Sequence, residues 1–196
     1  MKNPDDLLVS RLSLALMEHL PRRHNGGAVV LVTSALPGEG KTFVARLLAK
    51  SVAELGEEDV CLVSTGGASA GPGFADLLAG LPIEATPTIR STRLFAMSAG
   101  QEQQQTALFQ PKNVARALGA LRPRFGLCII DGTTVAQCGA LLRCVDQVLL
   151  VVDSRSTPPQ AIRRSLAQVG GTGLPASTSV VLNHAPGRTL ACMDGY

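Results

Sequence analysis

The chain has 196 residues, 45% of them hydrophobic and 17% charged, with a mean hydropathy of +0.22, which fits one compact soluble domain and excludes a disordered chain or a disulfide miniprotein. A chain of this length buries roughly 70% of the surface its unfolded form exposes, so it needs neither metal nor disulfide to make a core. Eighteen basic against fifteen acidic residues give a net charge of +3, dispersed along the sequence apart from pairs such as Arg22-Arg23 and Arg163-Arg164, and this argues against nucleic acid as a partner.

The first predicted element is a helix over 5–20, with Leu8, Leu12, Leu16 and Leu20 on one face, followed by an apolar strand over 28–33. Further strands are predicted at 60–63, 94–97, 127–131, 147–153 and 179–183. Between them the helical patterns fall at about 42–55, 74–80, 112–121, 137–143 and 159–169. Gly- and Pro-rich stretches at 64–73 and 170–175, and the polar run 101–105, read as loops within one domain, and there is no internal repeat. Continuously apolar strands alternating with helices indicate a mainly parallel sheet covered on both faces. The longest apolar run, 145–152, is far short of the ~18 residues of a membrane span, and the N-terminus has no secretory apolar region, so a cytoplasmic location is expected. Five cysteines without a CxxC pair or zinc spacing are expected to be reduced thiols, with Cys61 and Cys128 filling buried strands. Aromatic residues make up 3% of the chain, with Tyr196 the single tyrosine, so stacking platforms for bases or sugars are not expected.

The strongest chemical signal is ALPGEGKT at 35–42, between the first strand and the helix at 42–55. It fits the phosphate-loop pattern, with Ala35 at the usual first glycine. Small residues let successive backbone N–H groups curve around a phosphate, and the following helix directs its positive end at the same anion. The candidate nucleotide cradle is therefore Pro37, Gly38, Glu39, Gly40, Lys41, Thr42 and Phe43. Lys41 reaches the outer phosphates, and the Thr42 hydroxyl can ligate a Mg2+ that bridges them. Asp131, at the end of the strand 127–131, is the candidate acid that holds Mg2+ through water, although an Asp there also suits a cap on the next helix. Lys41 and Asp131 are thus the catalytic candidates, and Thr42 and Asp131 the metal candidates. Asn183, closing the last predicted strand, fits either a side-chain amide that reads a nucleotide base or an ordinary strand-end turn. The fold expected is α/β and P-loop NTPase-like, with an N-terminal helix and linker at 1–27, the phosphate-loop domain at 28–186 and a tail at 187–196.

These stretches resemble the cytoplasmic kinase domain of the bacterial tyrosine kinases that regulate capsule and exopolysaccharide synthesis, relatives of the deviant phosphate-loop ATPases that partition plasmids. VVLVTSALPGEGKT, GPGFADLLAG, RLFAMSAG, RFGLCIID, VDQVLLVVDSRST and SVVLNHAP occur in the family's order over about 28–186. The resemblance implies a parallel sheet, ATP or ADP with Mg2+, and a membrane-embedded polysaccharide co-polymerase as activating partner. It also implies an Asp-x-Asp motif, yet Ser64, Thr65 and Gly66 stand there. Gly132, Thr133 and Thr134 follow Asp131 where the family has Thr-Pro-Pro, the terminal tyrosine cluster is reduced to Tyr196, and Leu8 precedes Arg11 where an oligomerising Glu-x-x-Arg is usual. The resulting expectation is a nucleotide-binding regulator with weak or no kinase activity, docking on a membrane activator, an active paralogue or copies of itself. The alternative is an active ATPase or tyrosine kinase that takes its missing acid from Glu39, Asp153 or a partner chain. A partition-type positioning ATPase ranks third, because Leu36 and Pro37 stand where such proteins carry an early lysine.

Overall fold

The computed structural model describes residues 4–20, 26–67, 71–82, 88–89, 93–100, 105–171, 177–185 and 190–193. In chain order the elements are α1 (Pro4–His19), β1 (Ala28–Ser34), α2 (Lys41–Leu55), β2 (Val60–Ser64), α3 (Phe74–Ala79), β3 (Thr88–Ile89), β4 (Leu94–Met97), α4 (Gln105–Leu108), α5 (Pro111–Leu121), β5 (Leu127–Thr134), a 3-10 turn (Val135–Gln137), α6 (Gly139–Leu142), β6 (Gln147–Asp153), α7 (Pro159–Gly170), β7 (Ser177–Asn183) and β8 (Leu190–Met193). They form an α/β fold around one sheet of order β3-β4-β2-β5-β1-β6-β7-β8. The six strands from β4 to β7 are parallel, and β3 and β8 close the two edges in antiparallel pairing.

Every residue of β1 and of β6 is buried, as expected for central strands with helices on both faces. Alternate side chains of these strands enter two cores. Val30, Val32, Ile129, Leu149 and Val151 pack under α1 and α2 with Leu12, Leu16, Leu48 and Val52. Val29, Leu31, Ile130, Val148 and Leu150 pack under α3, α5, α6 and α7. Leu20 joins the first core as predicted for the α1 stripe, while the side chain of Leu8 and all of Tyr196 lie outside the described residues.

Besides β5, which continues past the predicted 127–131 to Thr134, the structure departs from the predicted elements in four places. Leu190–Met193, within the predicted tail, adds β8 beside β7, and Thr88–Ile89 adds β3 beside β4. Gln105, at the end of the polar run, opens the short helix α4. The helix predicted at 137–143 is broken at Cys138, whose backbone (φ −90°, ψ 12°) leaves the helical region while its thiol is drawn into the core against the Thr33 and Thr133 hydroxyls.

Cys61 and Cys128 are fully buried and stand side by side in the β2–β5 register. Burial pushes the Cys61 thiol up to about 12 and the Cys128 thiol in the same direction. Because the thiolate is the reactive form, both should resist alkylation by iodoacetamide at mildly alkaline pH until the protein unfolds. Peptide mass mapping of native and denatured samples checks this, and modification of either cysteine in the folded protein would contradict it.

At the amino-terminal pole of the sheet lies a largely buried charged pair. Arg122 Nη1 lies 2.6 Å from Asp146 Oδ2, and both side chains are largely buried, at 14% and 1% exposure. Asp146 Oδ2 also accepts the Val29 N–H at 2.8 Å, and Arg122 Nη1 donates to the Gly27 carbonyl at 2.8 Å. The pair therefore ties the end of α5 to the starts of β1 and β6.

Candidate functional site

At the opposite pole, β1 delivers the chain into the loop 35–40 and α2 takes it away. Gly38 (φ 84°) and Gly40 (φ 88°) both occupy the left-handed region that favours glycine. Gly40 has no room for a side chain, since a Cβ there would sit 2.2 Å from Asn183 Nδ2. The loop is held by contacts from distant parts of the chain. Glu39 is buried, at 3% exposure; its Oε2 accepts the Leu36 N–H at 2.7 Å, and its Oε1 accepts the Thr157 hydroxyl from the β6–α7 connection. Asn183 Nδ2 donates to the Glu39 carbonyl at 3.0 Å, while its Oδ1 accepts the His184 N–H at 3.0 Å. Ser34 Oγ closes the near side by donating to the Leu36 carbonyl at 2.8 Å. Thus Glu39 and Asn183, predicted as nucleotide contacts, both hydrogen-bond to the loop backbone and brace it. Lys41 and Thr42 are half-buried in the first turn of α2, whereas Pro37 and Phe43 are exposed at its rim.

Asp131 lies inside β5 with Val32 and Ser64 as its register partners. The turn that follows β5 begins from Thr134, so Asp131 is not that turn's cap. Thr42 Oγ1 donates to Asp131 Oδ1 at 3.1 Å, which brings the two predicted metal residues together. Burial raises the Asp131 carboxyl above its usual range, opposed by the Thr42 hydrogen bond and by the positive charges of Lys41 and Arg46. Thr65, buried where the family resemblance implies a carboxylate, spends its hydroxyl on the Asp131 carbonyl at 2.8 Å, and its N–H donates to the same oxygen at 3.1 Å. A hydroxyl and one carboxylate at a helix N-terminus fit Mg2+, which typically keeps several waters and takes its remaining ligands from nucleotide phosphates.

The two carboxylates considered as substitutes for the missing acids are both engaged. Glu39 is committed to the loop as described. Asp153, at the end of β6, accepts the Arg155 backbone N–H at 3.0 Å and Nε at 3.2 Å on Oδ1, and Arg155 Nη2 at 3.1 Å on Oδ2. His184 Nδ1 lies 3.3 Å from the same Oδ2. The Arg155 hydrogen bonds hold the Asp153 carboxyl well below the usual carboxylate range. Neither Thr65 nor Thr157 was legible as a site residue. Both sit on loops whose partners are 66 and 118 residues away in the chain, and a lone threonine carries no motif.

The raised Asp131 carboxyl has a consequence with a definite sign. The folded state binds its proton more tightly than the unfolded state does, so stability falls as pH rises through the interval just above the usual carboxylate range. Asp131→Asn keeps an acceptor for Thr42 and removes the buried charge. It should raise the melting temperature of the nucleotide-free protein at neutral pH and flatten that pH dependence, while weakening the Mg2+ dependence of ATP affinity. Thermal melts from pH 4 to 8 and calorimetric titration check both halves.

No model of a protein family matches the chain, and no curated protein matches it by sequence. Solved structures do. The VpsO kinase domain is 26% identical, with 92% of this chain and 96% of that chain covered and a TM-score of 0.74. The kinase domain of the Escherichia coli tyrosine kinase Etk is 20% identical, with 97% and 80% covered and a TM-score of 0.76. A plasmid partition protein from Borrelia burgdorferi, solved bound to AMPPNP, is 16% identical, with 82% and 77% covered and a TM-score of 0.66. The loop 35–40 and Asp131 thus sit in a fold that the chain shares with these solved structures, and over nearly its whole length it is similar to the VpsO kinase domain.

Proposed function

We propose that the protein binds ATP or ADP at the phosphate loop and acts in an exopolysaccharide or capsule system as a nucleotide-sensitive regulator with weak or no kinase activity. The observation that carries this reading is the contrast within one site. The loop, Lys41 and the N-terminus of α2 are set for phosphate, while residues 64–66 offer no carboxylate and Glu39 and Asp153 are already bound elsewhere. Backbone amides, Lys41 and Thr42 supply most of what phosphates need. Turnover also needs a group that orients or deprotonates the nucleophile, and losing such a group commonly costs 10²-fold or more. Thr42 and Asp131 would hold Mg2+, whose chemistry here is neutralisation of phosphate charge. The partner proposed is a membrane polysaccharide co-polymerase, an active paralogue or a second copy of the chain, met at the cytoplasmic side. Among the described residues no helix is long and apolar enough to cross a membrane.

Calorimetric titration with ATP and ADP, with and without Mg2+, tests the first half, and an ATP turnover and autophosphorylation assay tests the second. Expected are binding by the native protein, a loss of affinity of about 10- to 100-fold in Lys41→Ala, and no turnover above that variant. The active-kinase alternative is supported by Asp131, which accepts the Thr42 hydroxyl, and Lys41-dependent turnover would establish it. Absence of binding to either nucleotide at millimolar concentration overturns both readings.

A further inference from the structure

Basic residues dispersed along the sequence gather in the fold. The helices α5, α6 and α7 lie side by side over one face of the sheet, and neither they nor the stretches 103–130, 132–145 and 154–193 contain a single Asp or Glu. Lys112 and Arg116 on α5, Arg143 just after α6, and Arg163 and Arg164 on α7 are all exposed. Among the described residues, Lys112, Arg143, Arg163 and Arg164 form no ion pair. Arg116 lies across to α3, where it donates to the Leu78 carbonyl at 2.7 Å. Of the carboxylates near this face, Asp146 pairs with Arg122 and Asp153 with Arg155, while Asp76 of α3 accepts the Gly73 N–H at 2.6 Å and keeps its charge. The same helices also expose the small residues Ala115, Gly119, Ala120 and Ala167.

We propose that this face docks electrostatically on an anionic lipid bilayer. The exposed large apolar residues, Leu14, Met17, Leu36, Phe43, Leu55 and Leu81, all lie off α5, α6 and α7, so the face lacks the apolar centre that a stable protein interface desolvates. It carries no exposed aromatic for base stacking, and no helix stands clear of the layer to enter a nucleic-acid groove. An anionic headgroup layer matches a face that carries exposed cations and no acidic residue on α5, α6 or α7. In that orientation α2 and the first turn that carries Lys41 and Thr42 face away from the lipid, and nucleotide entry stays open. The inference is independent of whether the site turns ATP over.

The experiment is co-sedimentation of the full chain with vesicles of phosphatidylcholine alone and of phosphatidylcholine with about one third phosphatidylglycerol. At low ionic strength the protein should pellet with the anionic vesicles only, and about 0.5 M salt should release it. Each basic side chain near such a surface is worth about fivefold in partitioning, so a triple variant with Arg143→Gln, Arg163→Gln and Arg164→Gln should lose about 10²-fold. Arg11→Gln with Lys50→Gln, on the opposite helical layer, should bind as the native protein does. Unchanged melting curves for both variants separate loss of docking from loss of fold. Equal pelleting with neutral vesicles, full binding by the triple variant, or retention of duplex DNA by a protein that ignores vesicles would each overturn the assignment.

Discussion

Gly40→Ala is expected to abolish nucleotide binding while the sheet stays folded. Holding alanine at φ 88° costs about 1–2 kcal/mol. The new methyl also meets the Asn183 amide, which must retreat and release the Glu39 carbonyl, a hydrogen bond with a net value of about 1 kcal/mol. The sum, about 2–3 kcal/mol, corresponds to a fall in melting temperature of roughly 4–12 °C for a domain of this size. The two contributions are separable. Asn183→Ala removes the clash and leaves the strained φ, so the double variant should be less destabilised than the sum of the singles by about 1 kcal/mol. A Gly40→Ala protein that binds ATP with native affinity would show that the braced loop shape is not what the phosphates require.

The second large effect lies at the other pole. Asp146→Ala leaves the Arg122 guanidinium unpaired beneath the sheet and strips the Val29 N–H of its side-chain acceptor. Breaking one half of a buried pair costs about 3–5 kcal/mol. Denaturant unfolding should report that loss in the midpoint. Replacing both partners by apolar residues, Arg122→Met with Asp146→Leu, should recover much of it, because no charge is then left uncompensated. Nucleotide affinity should be untouched in the double variant, since the phosphate loop is at the far end of β1. A single variant as stable as the native protein would mean that water reaches the guanidinium and that the pair contributes little.

The six parallel strands were legible because each is an unbroken apolar run, the pattern that burial on both faces demands. Their spatial order was not, since apolar strands differ too little in composition to specify their neighbours. The edge strands were missed for a different reason. Thr88–Ile89 has only two residues, and Leu190–Met193 is a short apolar run that becomes a strand only because β7 leaves an edge beside it. At the site, the strand-loop-helix unit could be read from local spacing, and Asp131 was singled out by its place in an apolar run. The bracing of that loop could not. Thr157 and Asn183 reach Glu39 across 118 and 144 residues, and nothing in the loop's own spacing says that the Glu39 side chain is buried and turned to the Leu36 N–H. Arg122 and Asp146 carry the same lesson, since a buried charge and a surface charge are written with the same letter.

The sheet's two antiparallel end strands govern how this protein can meet others. A parallel sheet that stopped at β4 and β7 would offer two long rows of open amides and carbonyls, a template on which any extended peptide could add itself. Among the described residues, one border ends in a strand of two residues and the other in one of four. Growth by backbone addition is thereby confined to very short registers, too few hydrogen bonds to hold a foreign strand. Recognition through side chains is what these short borders favour, and contacts of that kind can be made and released by salt or charge modification without unravelling the fold.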